Sequence, residues 1–332
     1  MTNIVLNPFN EAHTYSDFTE FTANGILKKY DIRESKNGNK YVDLVLSDAT
    51  GEIPGKFFNY TPGESKLFKA GDFVCIVGKV KRFNDAFQVT VEDISNPPAD
   101  AKKEDYVKSA DYSPIDMFAK IITLIGTFQD EDLKKLTLAI FEKYQQKLLY
   151  YPAAIKMHHA VRGGLLLHTL SIMTVADKVC QVYPQVDRDL LLCGAALHDI
   201  GKLSEMDSDD TGVAGEYTRD GNLVGHLVRG AMIVRFMGTS LKIEDEKIRL
   251  VEHMLLSHHG KPEFGAAVKP MFLEANLLHE LDELDAKVYE FSEIASELEP
   301  ETFSARQWAL DDIRVYNHGR KEIKPQANIL ED

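Results

Sequence analysis

From residue 20 to residue 95, apolar and polar positions alternate in short runs. Lys40-Tyr41-Val42-Asp43-Leu44-Val45-Leu46 alternates and stops at Ser47-Asp48-Ala49-Thr50-Gly51, and Glu52–Phe58, Asp72–Val80 and Ala86–Val91 repeat the theme. A period of two, interrupted by turn residues roughly every ten positions, predicts short strands. About five strands in about 80 residues predict a small OB-fold-like barrel. The pattern changes near residue 100. Asn96-Pro97-Pro98-Ala99-Asp100 reads as the start of a linker. From residue 113 onward apolar residues recur every three or four positions, which predicts helix through Leu149, then over 163–182, 187–202, 225–239, 244–259 and 270–296. Ser113-Pro114 is an N-cap with proline at the first helical position. Beyond about residue 318 the chain is polar and is expected to fray.

The predicted fold is therefore multidomain α and β, with an OB-fold-like barrel over 15–96, a linker over 97–112 and an all-α domain over 113–320. The apolar stripe Met117, Ile121, Leu124 and Phe128 can pack inside the helical domain or between subunits, so a homo-oligomer stays open.

Composition changes this picture little. In 332 residues, 44% are hydrophobic and 27% charged, as in ordinary globular chains. No membrane partner is expected, because no apolar run approaches the ~18 residues a spanning helix needs. The N-terminus lacks the order of a signal peptide, so a cytoplasmic location is expected. The three cysteines form no CxxC pair and are expected to be buried, reduced thiols. A net charge of −14 argues against a generally basic nucleic-acid binder. It leaves room for basic strips, and for metal ions that gather carboxylates.

The chemistry concentrates in the helical half. Nine of the 11 histidines lie between residues 158 and 279. A His-Asp dipeptide alone means little, but the order here is specific. His168 follows Gly163-Gly164-Leu165-Leu166-Leu167; His198-Asp199-Ile200-Gly201-Lys202 comes 30 residues later; then Gly225-His226, Ser257-His258-His259-Gly260 and Leu281-Asp282-Glu283-Leu284-Asp285. Imidazole and carboxylate ligate divalent Mn, Fe, Zn, Co or Ni. Adjacent helical residues point about 100° apart, so His198 and Asp199 near a helix end spread their ligands, and Asp199 can bridge two ions. Gly201 is expected to free the backbone there, and Gly260 to end its helix in the left-handed conformation. No cysteine joins the set, which disfavours a structural zinc site. Open nitrogen and oxygen sites suit hydrolysis, because a metal lowers the pKa of water and neutralises phosphate charge.

This ordered series resembles the HD superfamily of metal-dependent phosphohydrolases. The resemblance implies that His168, His198, Asp199 and Asp282 hold one metal, with Asp285 the alternative register for the last. It implies that His226, His258 and His259 hold a second ion bridged through Asp199. Lys202, as in the HDxGK variant, is implied to contact a substrate phosphate or the attacking water. His159, close before the glycine pair, is taken as the proton donor to the leaving oxygen. His253 and His279 are read as structural. One position departs from the pattern: Leu167 stands where GGLLEHT would supply a glutamate.

An OB-fold binds single strands by aromatic stacking and basic contacts. The candidates are Lys56, Phe58, Lys79, Lys81, Arg82 and Phe83, with Phe57, Tyr60 and Phe87 as further aromatics, about half of the aromatics being reserved for the core. An OB-like domain followed by GGLLxHT and HDIGK is similar to the YhaM-type 3′–5′ exoribonucleases, over about residues 15–320. That resemblance implies single-stranded RNA, or DNA, degraded to nucleoside monophosphates with manganese preferred. A phosphohydrolase of small cyclic or mono-nucleotides stays open and fits the negative charge more easily. A non-catalytic strand binder is the weakest reading, since no ligand position is missing.

Overall fold

The computed structural model describes residues 4–35, 37–63, 66–83, 86–154, 161–209, 211–212, 214–324 and 327–330, without the side chains of residues 4, 83, 86, 214 and 215. The chain divides into two compact units, residues 1–109 with 211–215, and residues 110–210 with 216–332.

The first unit is a barrel. Its strands are β1 (Ile4–Val5), β2 (Glu20–Glu34), β3 (Lys40–Ser47), β4 (Glu52–Phe57), β5 (Phe73–Phe83) and β6 (Ala86–Ser95). They lie in the order β1-β2-β3-β4-β6-β5, and β5 pairs back onto β2, so β2 to β6 close on themselves. β2 reaches both neighbours because it is long: Glu20–Ile26 pair with β5 and Ile26–Glu34 with β3, with an irregularity between Leu27 and Lys29. β4 and β6 run parallel. The period of two in β3 turns Val42, Leu44 and Leu46 into the core. The core also extends before residue 15, through buried Leu6, Phe9 and Ala12. Asp48 ties that segment down: one oxygen accepts from Phe9 N (2.9 Å) and Asn7 Nδ2 (3.0 Å), the other from Thr50 N and Gly51 N. Part of the expected linker belongs to this unit as well, for Tyr106 packs on Phe73 with ring centroids 5.0 Å apart.

The second unit is helical: α1 (Pro114–Gly126), α2 (Glu131–Leu148), α3 (Gly164–Val182), α4 (Arg188–Leu197), α5 (Lys202–Glu205), α6 (Arg219–Leu223), α7 (His226–Leu241), α8 (Asp245–Ser257) and α9 (Leu273–Ser296). The short strands β7 (Met206–Ser208) and β8 (Ala214–Tyr217) come between α5 and α6. The run predicted as one helix over 113–149 is two. Asp130 caps α2 by accepting from Asp132 N and Leu133 N, and the carboxylate of buried Asp189 accepts from Gln129 N and Asp130 N. Those two backbone donors lie in the turn between Gly126, the last residue of α1, and the start of α2, and satisfying them sideways fixes the break.

Met117, Ile121 and Phe128 are buried in this unit's own core, with Leu124 packed against it. α3 is long and apolar enough to span a membrane by length and composition, contrary to the expectation for every segment; 56% of that stretch is buried inside the unit. After α9, β9 (Thr302–Gln307) and β10 (Ile313–Asn317) form an antiparallel hairpin the helical periodicity did not predict. The tail does not simply fray, because Ile329 is buried in the helical core. Cys75 and Cys193 are buried and Cys180 is half-buried.

Candidate functional site

Helix ends deliver the ligands. α4 stops at Leu197, and His198 follows as its C-cap, donating from Nδ1 to the carbonyl of Ala195 at 2.9 Å. His258 is the C-cap of α8 and donates likewise to Leu255 O at 2.8 Å. His259 donates to Phe264 O at 2.9 Å. The other two rings are held by carboxylates: His168 Nδ1 by Asp285 Oδ2 (2.7 Å) and His226 Nδ1 by Glu205 Oε1 (2.9 Å). Ser171 donates to the second oxygen of Asp285. All five imidazoles thus spend Nδ1 on a fixed acceptor, which leaves Nε2 as the available ligand atom.

Those Nε2 atoms converge. His168, His198 and Asp199 offer ligand atoms within 4.8 Å of one another, and so do His226, His258 and His259. Asp199 joins the groups. Its Oδ2 lies 3.3 Å from His198 Nε2 and 3.7 Å from His168 Nε2. Its Oδ1 lies 3.6 Å from His226 Nε2 and 3.7 Å from His258 Nε2. Asp282 Oδ1 approaches His168 Nε2 at 3.1 Å. Asp282 therefore sits at the Nε2 pole and Asp285 at the opposite one. Lys202 Nζ is 2.6 Å from Asp199 Oδ2.

The electrostatics follow. Burial works against ionising Asp199, but Lys202 and His198 outweigh it and hold the carboxyl well below the usual range. Burial alone would lower His168, yet Asp282 and Asp285 push it up to about 10. Burial, aided by His198, holds His258 well below the usual imidazole value. Three buried atoms, Asp199 Oδ1, His226 Nε2 and His258 Nε2, have no hydrogen-bond partner among the described residues. Leaving a buried polar atom unpaired costs about 1–3 kcal/mol. These three face one another, and a divalent cation satisfies all of them; the residues fit a metal.

Two glycines make this possible. Gly260 ends α8 with φ +73°, and a Cβ there would lie 2.2 Å from His279 Nε2. His279 in turn donates to the carbonyl of His258 at 2.9 Å. Gly201 departs from expectation. Its φ of −65° is ordinary helix, so the backbone needs no special freedom. What it needs is closeness: a Cβ would lie 2.0 Å from His226 O and 2.8 Å from Gly230 N.

Leu167 is buried in the apolar core beside His168. His168 is oriented by Asp285 instead, so no glutamate is required at position 167 for that purpose. His159 lies outside the described residues. Glu205 was not among the expected residues, although it follows Lys202 by three positions on α5. Asp285 carries a local signal too, since it lies three positions beyond Asp282 on one face of α9.

On the barrel the expected strand-binding residues separate. Phe58 is 56% exposed, and its ring lies 5.6 Å from that of Tyr41, over which Lys56 Nζ sits at 5.7 Å. Lys81 is exposed. Lys79 is engaged by Glu92 (3.1 Å) and Glu20 (3.4 Å). Arg82 is a clasp, not a free cation: it donates to Asp17 Oδ1, His13 O and Tyr15 O at 2.7–3.0 Å. Phe57 and Tyr60 are core residues, Phe87 packs against the core, and the Phe83 side chain lies outside the described set.

Comparison with known proteins agrees with both units. A family model described as an HD domain matches residues 165–287, and one described as an OB-fold nucleic acid binding domain matches residues 22–96. A 3′-5′ exoribonuclease YhaM from Oceanobacillus iheyensis is 30% identical over 91% of this chain and 95% of its own length. Proteins of the same name from a Geobacillus species and from Listeria welshimeri are 32% and 31% identical, over 87% and 90% of their lengths and 85% of this chain in each case.

Proposed function

The chain belongs to the YhaM family of 3′–5′ exoribonucleases, and we propose that it shortens single-stranded RNA from the 3′ end, using two divalent ions, manganese preferred, held by the two histidine groups with Asp199 between them. The observation that carries this reading is the trio of inward-facing, unpartnered atoms on Asp199, His226 and His258. Bound divalent ions supply acidified water and neutralise charge on the phosphate. The chain's own residues do the rest. Asp285 and Glu205 fix the rings of His168 and His226. Lys202, half-buried beside Asp199, is assigned the contact to the scissile phosphate. Tyr41, Phe58 and Lys56 are assigned to hold the strand by stacking and charge.

The test is a digest of 5′-labelled single-stranded RNA across Mn²⁺, Mg²⁺, Co²⁺ and Zn²⁺. Products shortened progressively from the 3′ end are expected, with Mn²⁺ fastest. Intact RNA under every ion would sink the reading, and turnover of a cyclic dinucleotide in its place would transfer the site to small nucleotides.

Metal binding must also displace a proton. With its pKa raised to about 10, His168 carries at pH 7 a proton on the Nε2 that faces Asp282. A ligating imidazole is neutral, so apparent metal affinity rises with pH. Titration calorimetry of Mn²⁺ in two buffers of different ionisation enthalpy is expected to give a net release of about one proton at pH 7. A buffer-independent heat contradicts it.

The two barrel residues predict opposite outcomes. Arg82→Ala is expected to cost about 1–3 kcal/mol of stability, from its bonds to Asp17, His13 and Tyr15. Phe58→Ala, at the surface, is expected to stay within about 0.5 kcal/mol while weakening RNA binding roughly tenfold. Chemical denaturation and fluorescence anisotropy read the two separately, and a reversed pattern refutes the assignment.

A further inference from the structure

The helical unit carries a cavity of about 470 Å³ that no step above uses, lined by Lys143, Tyr144, Ser204, Asp220, Arg229 and Phe236, with two aliphatic side chains of α7. Its walls adjoin the metal centre along the chain. Ser204 precedes Glu205, the residue that holds His226. Arg229 lies one helical turn beyond His226 on α7. We propose that this cavity is a subsite for a nucleotide of the RNA strand next to the one being removed, a proposal that rests on the exoribonuclease reading.

Its chemistry suits a base with its phosphate. Lys143 Nζ lies 5.2 Å from the Tyr144 ring and 5.6 Å from the Phe236 ring. Among the described residues Lys143 makes no ion pair, so its charge is available to an incoming phosphate. Phe236 is 68% exposed and offers a ring face to stack on. Arg229 is held by Asp220 through one terminal nitrogen, while its Nε is buried and has no partner among the described residues. In a chain of net charge −14, this wall sets two cations against one carboxylate. Such a local excess favours a phosphodiester over a neutral ligand. The volume falls in the ordinary range for small-ligand sites, roughly 300–1,000 Å³.

The experiment is calorimetric titration of the full chain, in EDTA, with the 5′-phosphorylated dinucleotide pUpU and separately with UMP. Wild type is expected to bind pUpU more tightly than UMP. Phe236→Ala and Lys143→Ala, both at exposed side chains, are expected to weaken pUpU about tenfold or more while keeping the wild-type circular dichroism. Equal affinities in wild type and both variants overturn the proposal, as does a wild type that does not bind pUpU. UMP binding as tightly as pUpU overturns it in favour of a product site. The two readings fail separately. Wild type that leaves RNA intact yet binds pUpU through Phe236 sinks the exoribonuclease reading and keeps the subsite. Wild type that shortens RNA with a KM unchanged by Phe236→Ala sinks the subsite alone.

Discussion

Replacing Asp199 by Asn is expected to lower kcat/KM on RNA by roughly a thousandfold or more and to strip the protein of bound metal. Removing one preorganised electrostatic group from an active site already costs about 10²–10³ in rate. Asp199 does more than one such job. One oxygen is shared with Lys202, His198 and His168, the other faces His226 and His258. The amide keeps the shape and loses the charge, so both histidine groups lose their common anion at once. Asp285→Asn is the informative comparison. Asp285 holds Nδ1 of His168, on the side of the ring away from the ligand atom, and also accepts from Ser171, and loss of such an outer partner costs about 10–100-fold. Metal content by plasma spectrometry and steady-state kinetics read both variants. Wild-type metal content in Asp199→Asn would remove this carboxylate from the site.

Gly201→Ala is expected to be the most damaging change that adds a single methyl group. The new Cβ meets His226 O and Gly230 N, both backbone atoms, so no rotamer change relieves the clash. Overpacking of this kind costs about 1–3 kcal/mol and more where the backbone must move. Taking about 3 kcal/mol, a unit of this size should lose roughly 6–12 °C in Tm. Activity should fall further than stability explains, because α5 carries Lys202 and Glu205 while α7 begins with His226. Pushing the two apart breaks the Glu205–His226 bond. Differential scanning fluorimetry with and without Mn²⁺ checks this, and a Tm within 2 °C of wild type would be incompatible with the packing described.

Which parts of this molecule can be read from its sequence depends on how far apart the interacting residues are. Helix caps are local: Ser113 and Asp187 each accept from a backbone N–H three positions on, and the spacing of apolar residues locates the helices between them. Alternation in β3 likewise locates its buried face. The ligand series is legible because its histidines lie in short stretches that also carry a glycine: Gly163 and Gly164 before His168, Gly201 after His198, Gly225 before His226 and Gly260 after His258 and His259. What depends on the path of the chain is not legible. Asp189 breaks the first helical run from 59 residues away. Glu205 meets His226 only because the chain returns after 21 residues. Arg82 reads as a basic contact, yet its partners lie 65–69 residues earlier, and a charge alone does not say whether it serves the fold or a ligand. Gly201 is legible as a glycine, but its reason is a neighbouring helix, not its own dihedral angles.

The barrel's closure through β2 and β5 has one more consequence. Along the paired stretches, main-chain donors and acceptors are spent on the neighbouring strand, so a polynucleotide docking over them meets side chains. On the strand-binding assignment proposed above, affinity for one base or another would reside in a few replaceable side chains such as Tyr41 and Phe58, and would change by substitution at those positions while the buried interior, Phe21 and Val91 included, stays as it is.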